Sequence, residues 1–110
     1  MKLKDLPVGT IDWSQVPASV HPGLSGAATA RVRQVGDIQL RLVVYSAGYV
    51  ADHWCPKGHL AFVVAGDVTI EHQDGRKYLL TAGTSYHVAD DDGPPHRAHS
   101  DEGATIFIAD

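Results

Sequence analysis

The eight residues Asp52-His53-Trp54-Cys55-Pro56-Lys57-Gly58-His59 bring two imidazoles and the chain's single thiol within seven positions. Side chains alternate along a strand, so a strand through this stretch puts His53 and Cys55 on one side and Trp54 on the other. Pro56-Lys57-Gly58 is a turn signal, and if His59 opens the returning strand, three ligand atoms meet. Neutral imidazoles and a thiolate suit Zn(II), Fe(II), Ni(II) or copper, whereas Mg(II) and Ca(II) prefer oxygen. The same residues have plainer uses. Isolated histidines usually face water or sit satisfied in a core, and a lone cysteine usually packs as a small hydrophobe. One cysteine makes no internal disulfide, which leaves Cys55 as a buried thiol, a metal ligand, a reactive thiol or an intermolecular bridge.

Positioning such a cluster takes short strands and tight turns, and the sequence supplies them from Arg31 onward. Strands are expected over 30–35, 38–46, 51–55, 59–65, 68–72, 77–80, 85–89, 96–99 and 105–108, divided by turn signals such as Val35-Gly36-Asp37, Gly66-Asp67, Asp74-Gly75 and Asp92-Gly93-Pro94-Pro95. Short β runs at this spacing predict an all-β sandwich or barrel, and no run reads as a helix. In the clearest strand Ile38, Leu40, Leu42 and Val44 share one face, a packing face, while Gln39, Arg41, Val43 and Tyr45 share the other. Residues 1–30 carry three prolines and no sustained period of 2 or 3.6. They read as an extended arm packed on a barrel of residues 31–110, with Trp13 as its anchor.

A length of 110 residues fits one domain with one modest core. The 44% apolar and 20% charged fractions are those of an ordinary globular protein. A net charge of -4 with scattered Lys and Arg lacks the basic stripe of a nucleic-acid binder, and Asp90-Asp91-Asp92 would repel phosphates. The first residues lack the apolar centre of a signal peptide, and no run is long enough to span a membrane. The expectation is a cytoplasmic protein without nucleic-acid or membrane partners.

From about Arg31 to Asp110 the chain resembles the cupin superfamily. That family's first motif places Gly before His-x-His, then three residues, Glu, six residues and Gly. Here Gly48 precedes His53-Trp54-Cys55, three residues lead to His59 and six more to Gly66, with the leading glycine one residue closer. In the second motif Gly83 is the opening glycine and Gly93-Pro94-Pro95-His96 supplies Gly-x-x-His, after two extra residues; Ser100 stands where Asn is usual. Another register puts this histidine near Tyr86 or His87, but the intact Gly-x-x-His and the distance to the last β run favour His96. Asp-His-Trp-Cys, Ser85-Tyr86-His87-Val88-Ala89-Asp90, Pro95-His96-Arg97 and the closing Ile106-Phe107-Ile108-Ala109-Asp110 resemble a small cupin-fold group named for a DHCW motif. The resemblance implies a double-stranded β-helix, a jelly-roll barrel with a metal near its middle. It also implies metal ligands at His53, Cys55, His59 and His96, and a homodimer formed by covering an outer sheet.

Cys55 and His59 stand in place of the usual second His and Glu. Three imidazoles with one thiolate carry the same charge as three imidazoles with one carboxylate, so the exchange preserves charge and softens the site. One divalent transition metal ion is expected, zinc first, with iron, nickel or copper as alternatives. Arg41, Tyr45 and Tyr86 offer donors to an anionic small molecule, His87 is a further pocket residue, and His72 reads as structural. These residues suggest a metal-dependent enzyme acting on a small molecule. The alternative is a non-catalytic metal- or ligand-sensing module with a closed tetrahedral site. A third reading makes Cys55 a nucleophile with His53 or His59 as its base, but only Asp52 is at hand to orient it.

Overall fold

The computed structural model describes residues 3–110. Its strands are β1 (Ala18–Pro22), β2 (Ala27–Val35), β3 (Ile38–Tyr45), β4 (Tyr49–Val50), β5 (His59–Gly66), β6 (Val68–His72), β7 (Lys77–Leu80), β8 (Ser85–Val88), β9 (His96–Ser100) and β10 (Ala104–Ala109). They form a six-stranded sheet in the order β1-β2-β3-β10-β5-β8 and a four-stranded sheet in the order β4-β9-β6-β7. From β3 onward every connection except β6 to β7 changes sheet, so the chain wraps a jelly-roll barrel. Every pairing is antiparallel. Gly66 makes one of these changes at φ +75, where a side chain would also run into the Gly103 carbonyl. Val43, Val63, Val68, Ile70, Ile106 and Ile108 fill the space between the sheets.

The face of β3 carrying Arg41, Val43 and Tyr45 points into the barrel, with Val43 and Tyr45 buried. The aliphatic face points outward, where Leu40 and Leu42 are half-buried and Val44 is exposed. The segment before β1 covers part of this outer surface. Trp13 meets Phe107 edge-on at 6.2 Å, Val16 is buried, and the Arg31 guanidinium donates to the carbonyls of Trp13 and Val16. Trp13–Gln15 is a short 3-10 turn that the sequence pattern does not announce, capped by Asp12, whose carboxylate accepts from the Ser14 amide at 3.0 Å. Ala18–Pro22, expected as irregular arm, pairs with β2. It is exposed along its whole length, so no apolar alternation marks it as a strand.

The strand expected over 51–55 does not form. The Ala51 amide donates to the Ala98 carbonyl at 3.0 Å, while Cys55 and His96 exchange backbone hydrogen bonds of 2.7 and 3.0 Å. Residues 52–54 therefore lie opposite Arg97 alone and bulge away from β9, which breaks the side-chain alternation there. Among the described residues no helix is long and apolar enough to cross a membrane.

Candidate metal centre

The bulge ends at Cys55, which its bridge to His96 holds against β9. The 56–58 turn is pinned from the other side. The Gly58 amide donates to Asp90 Oδ1 at 2.7 Å, and the Asp91 amide donates to the Pro56 carbonyl at 3.0 Å. A Cβ on Gly58 would sit 2.6 Å from the Asp90 nitrogen, so only glycine allows this approach. The turn delivers His59 as the first residue of β5. The ligand atoms of Cys55, His59 and His96 all lie within 4.8 Å of one another. Cys55 Sγ is 3.7 Å from His59 Nε2, and the rings of His59 and His96 cross at 83° with centroids 5.1 Å apart. Tetrahedral bonds to zinc at the usual Zn–S and Zn–N lengths separate S and N by about 3.6 Å. The Cys55–His59 pair therefore matches the spacing of two ligands of one transition-metal ion, with His96 within reach of both.

Asp110 orients this group. Its amide and carbonyl pair with Gln39, extending the β3–β10 ladder, and its carboxylate is buried. Oδ2 lies 2.8 Å from both His59 Nδ1 and Arg41 Nη2, and Oδ1 lies 3.4 Å from Lys57 Nζ. The ionised carboxylate accepts a hydrogen bond from His59 Nδ1–H, which leaves the Nε2 lone pair facing Cys55; such a carboxylate typically fixes the tautomer of a metal-binding histidine. Burial alone would raise the Asp110 carboxyl, but Arg41, the bond to His59 and Lys57 outweigh it and hold it below the ordinary carboxylate range. Burial and then the Arg41 charge lower the His59 imidazole, against the pull of Asp110. Burial, with His59 and His72 nearby, pushes His96 down to about 4. Near neutral pH His59 and His96 are thus neutral, the form that binds metal.

His53 is not brought to the group. It lies on the bulge, at the rim of the same cavity, with its side chain 75% exposed and its Nδ1 2.7 Å from Asp52 Oδ1. His96 joins Cys55 and His59, whereas His87, the alternative from the second register, is exposed on β8 opposite Leu60 and lines a different groove. Arg41, Tyr45 and Tyr86 do line the cavity that contains Cys55, His59 and His96, which encloses about 220 Å³. Tyr45 stacks on Tyr49 with centroids 4.6 Å apart. The Tyr86 hydroxyl is taken by a second buried histidine. His72 Nδ1 is 2.9 Å from the Pro94 carbonyl, so that nitrogen donates, and Nε2 accepts from Tyr86 at 2.8 Å. Trp54 is covered by Arg97, whose guanidinium lies 4.4 Å from the indole centroid. Asp110 went unnoticed in the sequence, although alternation along Ile106, Ile108 and Asp110 places all three on the inner face.

No protein-family model matches the sequence, and no curated protein matches it. Solved structures do match the fold. An RmlC-like cupin from Shewanella frigidimarina superposes with TM-score 0.71 at 18% identity, over 96% of this chain and 91% of that one. A putative ethanolamine utilization protein Q from Salmonella typhimurium gives 0.74 at 12% identity, over 93% and 84%. Ectoine synthase from P. lautus gives 0.73 at 13% identity, over 93% and 76%. The chain is a small cupin-fold protein. Its barrel carries a Cys, His, His group that could hold a metal.

Proposed function

We propose that this is a cytoplasmic, mononuclear metal-dependent enzyme of the DHCW-motif type, acting on a small molecule, with zinc held by Cys55, His59 and His96. The observation that carries the reading is that three donors converge beside a cavity while His53 stays at its exposed rim, outside the group. A closed tetrahedral sensing site needs a fourth protein ligand, whereas a catalytic site keeps one position for water or substrate. An ion held there would act as a Lewis acid toward an oxygen of the bound molecule. The protein's own part is to fix the donors. Asp110 keeps the proton on His59 Nδ1, the β9 bridge sets Cys55 against His96, and the pinned 56–58 turn sets the distance between Cys55 and His59. A free thiol at the site also suits a reducing compartment.

Cobalt substitution tests this reading. A Co(II)-loaded protein should show a thiolate-to-metal absorption band that is absent in Cys55→Ser and shifts when azide is added. A band indifferent to azide would favour the closed, non-catalytic site. The nucleophile reading gains one specific observation, because Asp110 supplies the orienting acid behind His59 that the sequence lacked. Iodoacetamide separates the two: zinc should protect Cys55 from alkylation, and equal rates with and without zinc would favour the nucleophile.

We also propose that a second copy covers the outer face of the six-stranded sheet. Val44, Leu60, Phe62 and Val64 there are 43–52% exposed, an apolar surface of the kind that marks interfaces. Sedimentation should give a dimer for the native chain and a monomer for Phe62→Asp.

A further inference from the structure

The cavity beside the cysteine and histidines holds unused positive donor capacity. Arg41 spends one N–H of its guanidinium on Asp110 and its Nε is buried without a hydrogen-bond partner, so the donors it keeps for the cavity are the remaining terminal N–H groups of a side chain that is 26% exposed. Buried polar groups in native proteins are nearly always satisfied, so an incompletely paired guanidinium on a cavity wall calls for a reason. The unpartnered Asp110 Oδ1 differs, because the Lys57 ammonium lies 3.4 Å away. Two cations, Arg41 and Lys57, thus share one side-chain carboxylate at the cavity wall. Arg97, also on this wall, is matched by Glu71 at 3.2 Å. Tyr45 and Tyr49 stack with ring planes 5° apart on the same lining. Burial raises the pKa of both, so each stays a neutral phenol able to donate.

Size narrows the ligand. A volume of about 220 Å³ lies below the ~300 Å³ at which drug-sized pockets begin. We propose that this cavity binds a small carboxylate anion of a few heavy atoms, its carboxylate held by Arg41 with the Tyr45 and Tyr49 hydroxyls, beside the Cys55, His59 and His96 donors. This deepens the enzyme reading and rests on it for the anion's role as substrate. A planar guanidinium matches a carboxylate through paired N–H donors, which a lone ammonium cannot do.

Calorimetry with acetate, lactate, pyruvate and malonate, each against its neutral amide, tests the subsite in zinc-loaded and metal-free protein. At least one acid should bind tenfold or more tighter than its amide, and Arg41→Gln and Tyr45→Phe should each remove at least tenfold of that affinity. Because Arg41→Gln strips Asp110 of a partner and can impair folding, Tyr45→Phe, which deletes one oxygen, serves as the second variant. Equal binding of acid and amide, no binding of any acid up to 50 mM, or affinity unchanged in Tyr45→Phe would overturn the proposal. Arg41-dependent acid binding by a protein that takes no zinc would uphold the subsite and refute the metal reading. Zinc binding without anion selectivity would do the reverse.

Discussion

Two imidazole clusters meet inside this barrel, with the rings of His72 and His96 5.6 Å apart, and they are finished in opposite ways. Around His72 both ring nitrogens have protein partners, the Pro94 carbonyl and the Tyr86 hydroxyl. Around His59 only the Nδ1 side is closed, by Asp110, and Nε2 faces the Cys55 sulfur. A buried imidazole whose hydrogen bonds are complete is a structural part, because any ligand would have to break a bond first. One whose outer nitrogen is tied to a carboxylate and whose inner lone pair is aimed at other donors is prepared to bind. Burial alone does not separate the two.

That contrast can be broken by substitution. His72→Ala leaves the Tyr86 hydroxyl and the Pro94 carbonyl without partners and opens a cavity, so it should cost about 3 kcal/mol in urea denaturation while zinc content is retained. Asp110→Asn should do the opposite, weakening zinc about 10–100-fold, or about 1.4–2.7 kcal/mol, in chelator competition. A His72→Ala protein that folds normally but loses zinc would erase the distinction.

Titration sharpens the contrast further. The His96 pKa falls from 6.5 to about 4 on folding, so the unfolded chain binds more protons as the solution is acidified. The stability linked to His96 is complete above pH 6.5 and is lost as pH falls toward and through about 4. The lowered Asp110 carboxyl adds a loss of the same sign at lower pH. Urea midpoints of metal-free protein should show this decline, and His96→Gln should flatten it between pH 6.5 and 4. The smallest effect is expected at His53, exposed on its bulge. His53→Ala should change stability by no more than about 0.5 kcal/mol.

Much of the site could be read from residue spacing. Cys55, His59 and His96 follow from the motif distances, and strands β3 and β5 to β10 fall close to the expected runs. His53 stands apart from the other three because alternation holds only while a strand stays in register. Two extra residues opposite Arg97 leave it on the bulge at the cavity rim, apart from the other donors, and nothing local to Asp52-His53-Trp54 announces the slip. His87 lies away from that group because its register beside Leu60 places it in a different groove, a tertiary fact of strand pairing. Asp110 is the reverse case. Alternation from Ile106 pointed inward, but its value comes from Arg41, Lys57 and His59, which only the folded barrel gathers around it.

The central claim is a metal held by Cys55, His59 and His96 without His53. Elemental analysis of untagged protein tests it most directly, comparing the native chain with Cys55→Ser, His96→Ala and His53→Ala. One equivalent of a transition metal, zinc first, should be found in the native and His53→Ala proteins and lost from the other two. Metal retained in His96→Ala, or lost in His53→Ala, would contradict the account.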